Sequence, residues 1–159
     1  MFLKPDYNLK SLYEIDLDEL KSQGVTAMLF DLDSTLMASK AGRYSSEVLA
    51  WLDVVRRDFF IGVVSNNNNS QYEARVIEAS DFPVLFDAKK PDTQRALKFM
   101  EKYGLKCTTT VLVGDRPLSD IWCGKNLGCR TILVDSITAK TENFIVRLAR
   151  KVERLTIKK

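Results

Sequence analysis

Two carboxylates, Asp31 and Asp33, stand directly behind the apolar run at residues 25–30. In an extended chain, residues two apart point to the same side, so both acids face one site. Packing gives no reason to place two acids against core residues. Like charges at that spacing repel and raise each other's pKa unless a cation or a phosphate group makes use of them. The doublet therefore points to Mg²⁺-dependent phosphoryl transfer at the carboxyl end of a strand. The plainer alternative is a strand running into an acidic loop.

Other chemistry-bearing residues recur behind later apolar runs. Ser65 and Asn66 follow residues 59–64, Lys89 and Lys90 follow residues 84–86, and Asp115 and Asp120 follow residues 109–113. A phosphoryl group moving between oxygens needs an in-line nucleophile, neutralised charge and an acid for the leaving group. Asp31 suits the nucleophile and Asp33 the acid and later the base. Asp115 and Asp120 are hard oxygen ligands for Mg²⁺. Ser65 can donate to a phosphoryl oxygen, and a lysine of the Lys89–Lys90 pair can neutralise it. Taken singly, Asp115 and Asp120 could be loop acids, Ser65 a turn former, and Asn67, Asn68 and Asn69 turn and cap residues. Thr35 can orient its loop or touch substrate, and Arg116 can meet a phosphate or solvent. The chain has no histidine, which excludes Ser-His-Asp and Cys-His catalysis and His-ligated zinc.

The elements that must hold these residues alternate regularly. Strands are expected over 25–30, 59–64, 84–86, 109–113 and 131–134. Helices are expected over 45–57 (with Val48, Leu49, Leu52 and Val55 inward), 71–79, 92–103, 118–127 and 143–155. Five apolar strands separated by helices imply a parallel sheet covered on both faces. Such sheets bind ligands at the carboxyl ends of their strands, where the residues above converge. Residues 1–24 form a lead-in segment that covers the sheet edge or presents apolar side chains. Within it Asp16 caps a short helix, with Glu19 at the capping-box position.

The 159 residues suffice for one domain, and 45% apolar with 28% charged residues is a globular composition. Residues 140–159 carry seven basic side chains against two acidic ones, so a mildly acidic body ends in a basic tail. The tail reads as an amphipathic helix that either packs on the sheet or lies on anionic lipid. Cys107, Cys123 and Cys129 lack metal spacing and read as scattered reduced thiols. No apolar run approaches the length of a membrane span.

The four segments resemble, in order, the motifs of the haloacid dehalogenase-like (HAD) phosphatase superfamily. These are Phe30-Asp31-Leu32-Asp33-Ser34-Thr35-Leu36, Val63-Val64-Ser65-Asn66, Lys90-Pro91, and Val113-Gly114-Asp115 running to Asp120. The resemblance implies a three-layer α/β/α Rossmann-like fold with Asp31 as nucleophile, Asp33 as acid and base, and Asp115 with Asp120 as metal ligands. It also implies that Asp31 and the main-chain carbonyl of Asp33 join the Mg²⁺ ligands. Lys90 is preferred over Lys89 because it directly precedes the proline, with Ser65 and Asn66 binding phosphate. Members that handle small metabolites carry an inserted cap. Here 24 residues separate Leu36 from Ile61 and 23 separate Asn66 from Lys90, too few for one.

The longer pattern is similar to the YqeG-type and mitochondrial-type phosphatidylglycerophosphate phosphatases. It includes Leu3-Lys4-Pro5, Ala88-Lys89-Lys90-Pro91 and Asp120-Ile121-Trp122-Cys123-Gly124-Lys125-Asn126-Leu127-Gly128. Ser34 stands where that group more often has Asn. This resemblance implies a phospholipid head group at an anionic membrane as partner, met by a peripherally attached protein. No nucleic acid is expected, since basic residues do not interleave with aromatics near the site, and the scattered thiols suggest a cytoplasmic or organellar-matrix compartment. A phosphatase of phosphoproteins or nucleic-acid ends also fits an open site and a basic tail. A phosphoacceptor signalling domain fits less well, because the Asp31–Asp33 pair supplies an acid/base that a slow switch should lack.

Overall fold

The computed structural model describes residues 3–137, so the expected helix at 143–155 and the basic tail lie outside the described residues. Helices α1 (Leu17–Ser22), α2 (Ser46–Val55), α3 (Ser70–Ala79), α4 (Gln94–Lys102) and α5 (Trp122–Leu127) alternate with strands. The strands are β1 (Tyr7–Asn8), β2 (Ala27–Phe30), β3 (Phe60–Val64), β4 (Val84–Leu85), β5 (Thr110–Gly114) and β6 (Arg130–Leu133). They form one sheet in the order β1-β6-β5-β2-β3-β4, every pair parallel. The chain runs outward from β2 through β3 to β4, then crosses back to β5 on the other side. The carboxyl end of β2 is thus the topological switch point, where open α/β sheets hold ligands.

All four β2 residues are fully buried, and the run lacks alternation because both of its faces are covered. Met28 and Phe30 join the core under α2 and α3, with Leu52, Val55, Tyr72 and Val76. Leu29, one residue out of phase, joins the opposite core with Phe99, Met100 and Leu112. Alternating side chains thus feed two layers and make the three-layer α/β/α sandwich. Gly62 is needed where α4 approaches most closely, since a Cβ there would lie 2.8 Å from Leu29 and 3.1 Å from Phe99.

Three expectations are corrected. The sheet has six strands and not five: β1 is two residues long, too short to show periodicity, and pairs Tyr7 with Ile132 and Asn8 with Leu133. The lead-in segment therefore extends the sheet edge. The reciprocal capping box forms at Ser11 and Glu14, while Asp16 caps α1 by accepting from the Glu19 N–H. Leu49 is 40% exposed, because the buried stripe of α2 runs Val48, Leu52, Val55 and Leu49 falls beside it.

No inserted cap interrupts the described residues: α2 alone lies between the β2 loop and β3, and α3 with β4 lies between β3 and Lys90.

Candidate active site

The sheet register sets the spacing of the site. Phe30 pairs with Val63 of β3 and Val113 of β5, so the chain leaves all three strands at one level. The Asp31 N–H still donates to the Val113 carbonyl at 2.9 Å, fixing Asp31 at the strand's last rung. Beyond it the chain turns sharply, and Ser34 takes a left-handed backbone (φ 68°). Asn is favoured over Ser in that region, which accounts physically for the residue more common in the similar group.

Carboxylate oxygens of Asp31, Asp115 and Asp120 lie within 4.8 Å of one another, and Asp115 and Asp120 are buried. Lys90 Nζ reaches Asp31 Oδ1 at 2.8 Å and Asp120 Oδ1 at 2.6 Å, with its side chain 1% exposed. Burial alone would lower its pKa, but Asp120 and Asp31 outweigh burial and hold it above the ordinary lysine value. Burial, reinforced by the charge of Asp31, pushes Asp120 up to about 6 against the pull of Lys90. Three carboxylates facing one ammonium leave an excess of negative charge at a buried place. That donor set, all hard oxygen, suits Mg²⁺.

Asp120 is also the brace of its own loop. Its Oδ2 accepts the N–H groups of Asp115 and Arg116, both at 3.1 Å. The braced segment enters α5 through one wide π-helical turn, Pro117–Ile121, where the sequence suggested regular helix from 118. Gly114 is required here, because a Cβ on it would collide with the Asp120 carboxylate.

The remaining motif residues divide by task. Ser65 is 1% exposed and its Oγ accepts from the Asn67 N–H at 3.1 Å, which leaves its own O–H for the cleft. Asn66 clamps Lys90 at both ends of its side-chain amide. Nδ2 donates to the Lys90 carbonyl at 3.0 Å, and Oδ1 accepts from the Lys90 N–H at 2.7 Å. Lys89 is exposed and Lys90 buried. Asp33 points elsewhere from the acidic cluster, its Oδ1 accepting from the Lys40 N–H at 2.9 Å and the Tyr72 O–H at 2.5 Å. Burial, followed by the hydrogen bond and charge of Asp33, pushes the Tyr72 phenol far up, so it remains a donor. Thr35 is fully buried and donates to Asp115 Oδ1 at 3.0 Å, which gives it an orienting place. Arg116 lines the cleft, whose volume is about 460 Å³, together with Asp31, Asp33, Ser65 and Asn66.

Sequence reasoning missed Tyr72 and the Lys40 main chain as partners of Asp33. The only available signal for Tyr72 was its place one turn inside α3, behind the Asn69 cap. The cysteines are less scattered than their spacing suggested: Cys129 lies against Cys107, and burial first and then that neighbour hold its thiol high.

A parallel sheet with an acidic cluster at its switch point, a buried lysine beside it and no cap inserted among the described residues is the arrangement that the resemblance to HAD-like phosphatases leads one to expect. The comparisons agree, for the HAD-hydrolase-like family model matches residues 88–146. The chain is 28% identical to "Probable phosphatase YqeG" of Bacillus subtilis, over 96% of this chain and 88% of that protein. It is also 28% identical to "Phosphatidylglycerophosphate phosphatase 1, chloroplastic/mitochondrial" of Arabidopsis thaliana, over 99% of this chain but 48% of that longer protein. The solved structure of "a predicted HAD-like family hydrolase" from Porphyromonas gingivalis superposes with a TM-score of 0.56 at 15% identity, covering 81% of this chain and 98% of that one. The family model spans the third and fourth motifs and the relatives span nearly the whole chain, so the resemblance to HAD-like phosphatases is borne out, and the solved structure shares the fold.

Proposed function

We propose that this protein is a Mg²⁺-dependent phosphomonoesterase that dephosphorylates phosphatidylglycerophosphate to phosphatidylglycerol. The observation that carries the chemistry is the cluster of Asp31, Lys90, Asp115 and Asp120 at the switch point, opening into an uncapped cleft. The name of the plant relative supports the lipid substrate.

In this reading Asp31 attacks phosphorus in line, forming an aspartyl-phosphate as the bond to the leaving oxygen breaks. Asp33 carries the proton to that oxygen. With Oδ1 held by Lys40 N–H and Tyr72 O–H, its carboxyl group is fixed beside the cleft. Asp33 then takes a proton from water, whose oxygen attacks phosphorus and releases inorganic phosphate and free Asp31. The Ser65 hydroxyl and the Asn66 main-chain N–H steady the phosphoryl oxygens, and Lys90 offsets their charge. Asp31, Asp115, the Asp33 carbonyl and Asp120 would hold Mg²⁺, although Asp120 is already committed to Lys90 and the two N–H groups. When bound, the ion supplies charge neutralisation to the phosphoryl group.

In this reading the lipid substrate is met at the membrane surface; no helix among the described residues is long and apolar enough to cross a membrane. The open cleft favours such an encounter, and the basic residues 140–159 would support it electrostatically. The test is phosphate release in Mg²⁺ from phosphatidylglycerophosphate, phosphopeptides, end-phosphorylated oligonucleotides and sugar phosphates. Preference for the lipid is expected. Release from the other substrates with none from the lipid would reject this assignment.

A further inference from the structure

A second cavity, of about 590 Å³, adjoins the catalytic cleft and shares Asn67 with it. Two of its lining residues, Lys40 and Tyr72, are those that hold Asp33, which itself lines the cleft. The lining is opposite in character to the acidic cluster: two cations, Lys40 and Arg75, the amides of Asn67, Asn68 and Gln71, and no carboxylate. Lys21, Arg56, Lys90, Arg95 and Lys125 are held in ion pairs, whereas neither Lys40 nor Arg75 is paired with a carboxylate among the described residues. Arg75 is nevertheless oriented. Its guanidinium lies 5.7 Å from the centre of the Tyr72 ring, and its Nε packs close to Gly42, where an added Cβ would stand 3.3 Å away. Positive φ at Lys40 (59°) and Gly42 (72°) folds this loop back toward α3, bringing Lys40 and Arg75 to one hollow.

Cations without carboxylate ion-pair partners, amide donors and lining residues that also hold the general acid describe a place for a second anion. Arginine binds two phosphate oxygens through its planar fork, and lysine adds a point charge. We propose that this cavity takes a phosphodiester belonging to the same substrate whose phosphomonoester meets Asp31, with Lys40 and Arg75 as its specificity residues. This rests on the phosphomonoesterase reading above and deepens it. In a phosphatidylglycerophosphate head group one glycerol joins the two phosphates, and adjoining cavities sharing Asn67 suit such a pair. The shared chemistry, a diester close to a monoester, is found both in the lipid and in its water-soluble deacylated head group.

The experiment compares kcat/KM for the deacylated head group, for glycerol phosphate, which lacks the diester, and for the lipid in neutral detergent micelles. Wild type, Lys40→Gln, Arg75→Gln and the double variant are measured. Loss of two charge-assisted contacts should cut the head-group to glycerol-phosphate ratio by about tenfold or more in the double variant, mainly through KM. The wild-type ratio should also fall as salt is raised. A wild-type ratio near one, or a ratio unchanged by the double variant, overturns the subsite. Because glycerol phosphate is the internal reference, a variant that merely folds poorly lowers both rates and leaves the ratio unchanged. Turnover of the head group but not of the lipid would leave the subsite standing and remove the lipid assignment. Turnover of the lipid with a ratio near one would do the reverse.

Discussion

Replacing Lys90 by Met is the sharpest probe of how the acidic cluster is held. The ammonium sits 2.8 Å from Asp31 and 2.6 Å from Asp120, almost wholly out of solvent. Methionine preserves most of the side-chain volume and deletes the charge. Removing one partner of a buried ion pair costs about 3–5 kcal/mol, because the remaining charges stay desolvated. The loss should depend on pH with a definite sign. Asp120 already has its pKa raised to about 6 by burial and by Asp31, and loss of Lys90 removes the group pulling it down. A carboxyl whose folded pKa lies above its unfolded value takes up a proton on folding. The stability it contributes is full below the unfolded value of about 4 and is lost as pH rises through the folded value. The variant should therefore be least impaired at pH 5 and most impaired at pH 8. Urea unfolding in EDTA at both pH values measures this. A deficit at pH 8 of about 3 kcal/mol or more, and less than half of it at pH 5, is expected. A deficit equal at both pH values would show that Lys90 acts through packing, and no deficit would refute the charge argument altogether.

Three other outcomes follow from single contacts. Asn66→Ala should lower kcat by about tenfold or more while leaving the sheet intact, because the clamp on both ends of the Lys90 peptide is lost; unchanged kinetics would show that the clamp does not position Lys90. Gly114→Ala should destabilise the fold by about 1–3 kcal/mol and suppress Mg²⁺-dependent activity, since the new methyl displaces the Asp120 brace; thermal melts and phosphate release check both effects. Burial raises the Cys123 thiol to about 11, so at pH 8 it should resist a thiol reagent in the folded protein and react on unfolding. Rapid labelling of Cys123 in the native state would contradict its placement in the core.

Much of this molecule was readable from residue order because the motifs sit where apolar runs end. The runs at β2, β3 and β5 are continuous, buried throughout except at Phe60, and bounded by acids or a hydroxyl, so strand, terminus and site residue announced one another. What stayed hidden depended on contacts between distant segments. β1 has two residues and is defined by its hydrogen bonds to β6, so no periodicity marked it. Asn66 reads as a phosphate ligand beside Ser65, and only the folded chain shows its side-chain amide on the Lys90 backbone as well. Tyr72 reads as an ordinary core aromatic of α3 until its hydroxyl is found on Asp33. Lys40 contributes through its main chain, which no side-chain pattern can reveal.

The central claim is that Asp31 carries the phosphoryl group. The direct measurement is mass spectrometry of the enzyme quenched in acid during turnover of phosphatidylglycerophosphate with Mg²⁺. The account predicts one phosphoryl adduct, labile to hydroxylamine, on the peptide containing Asp31. The adduct should be absent in Asp31→Asn and should persist longer in Asp33→Asn, where the base for hydrolysis is missing. Turnover with no adduct on that peptide, or undiminished turnover by Asp31→Asn, would contradict it.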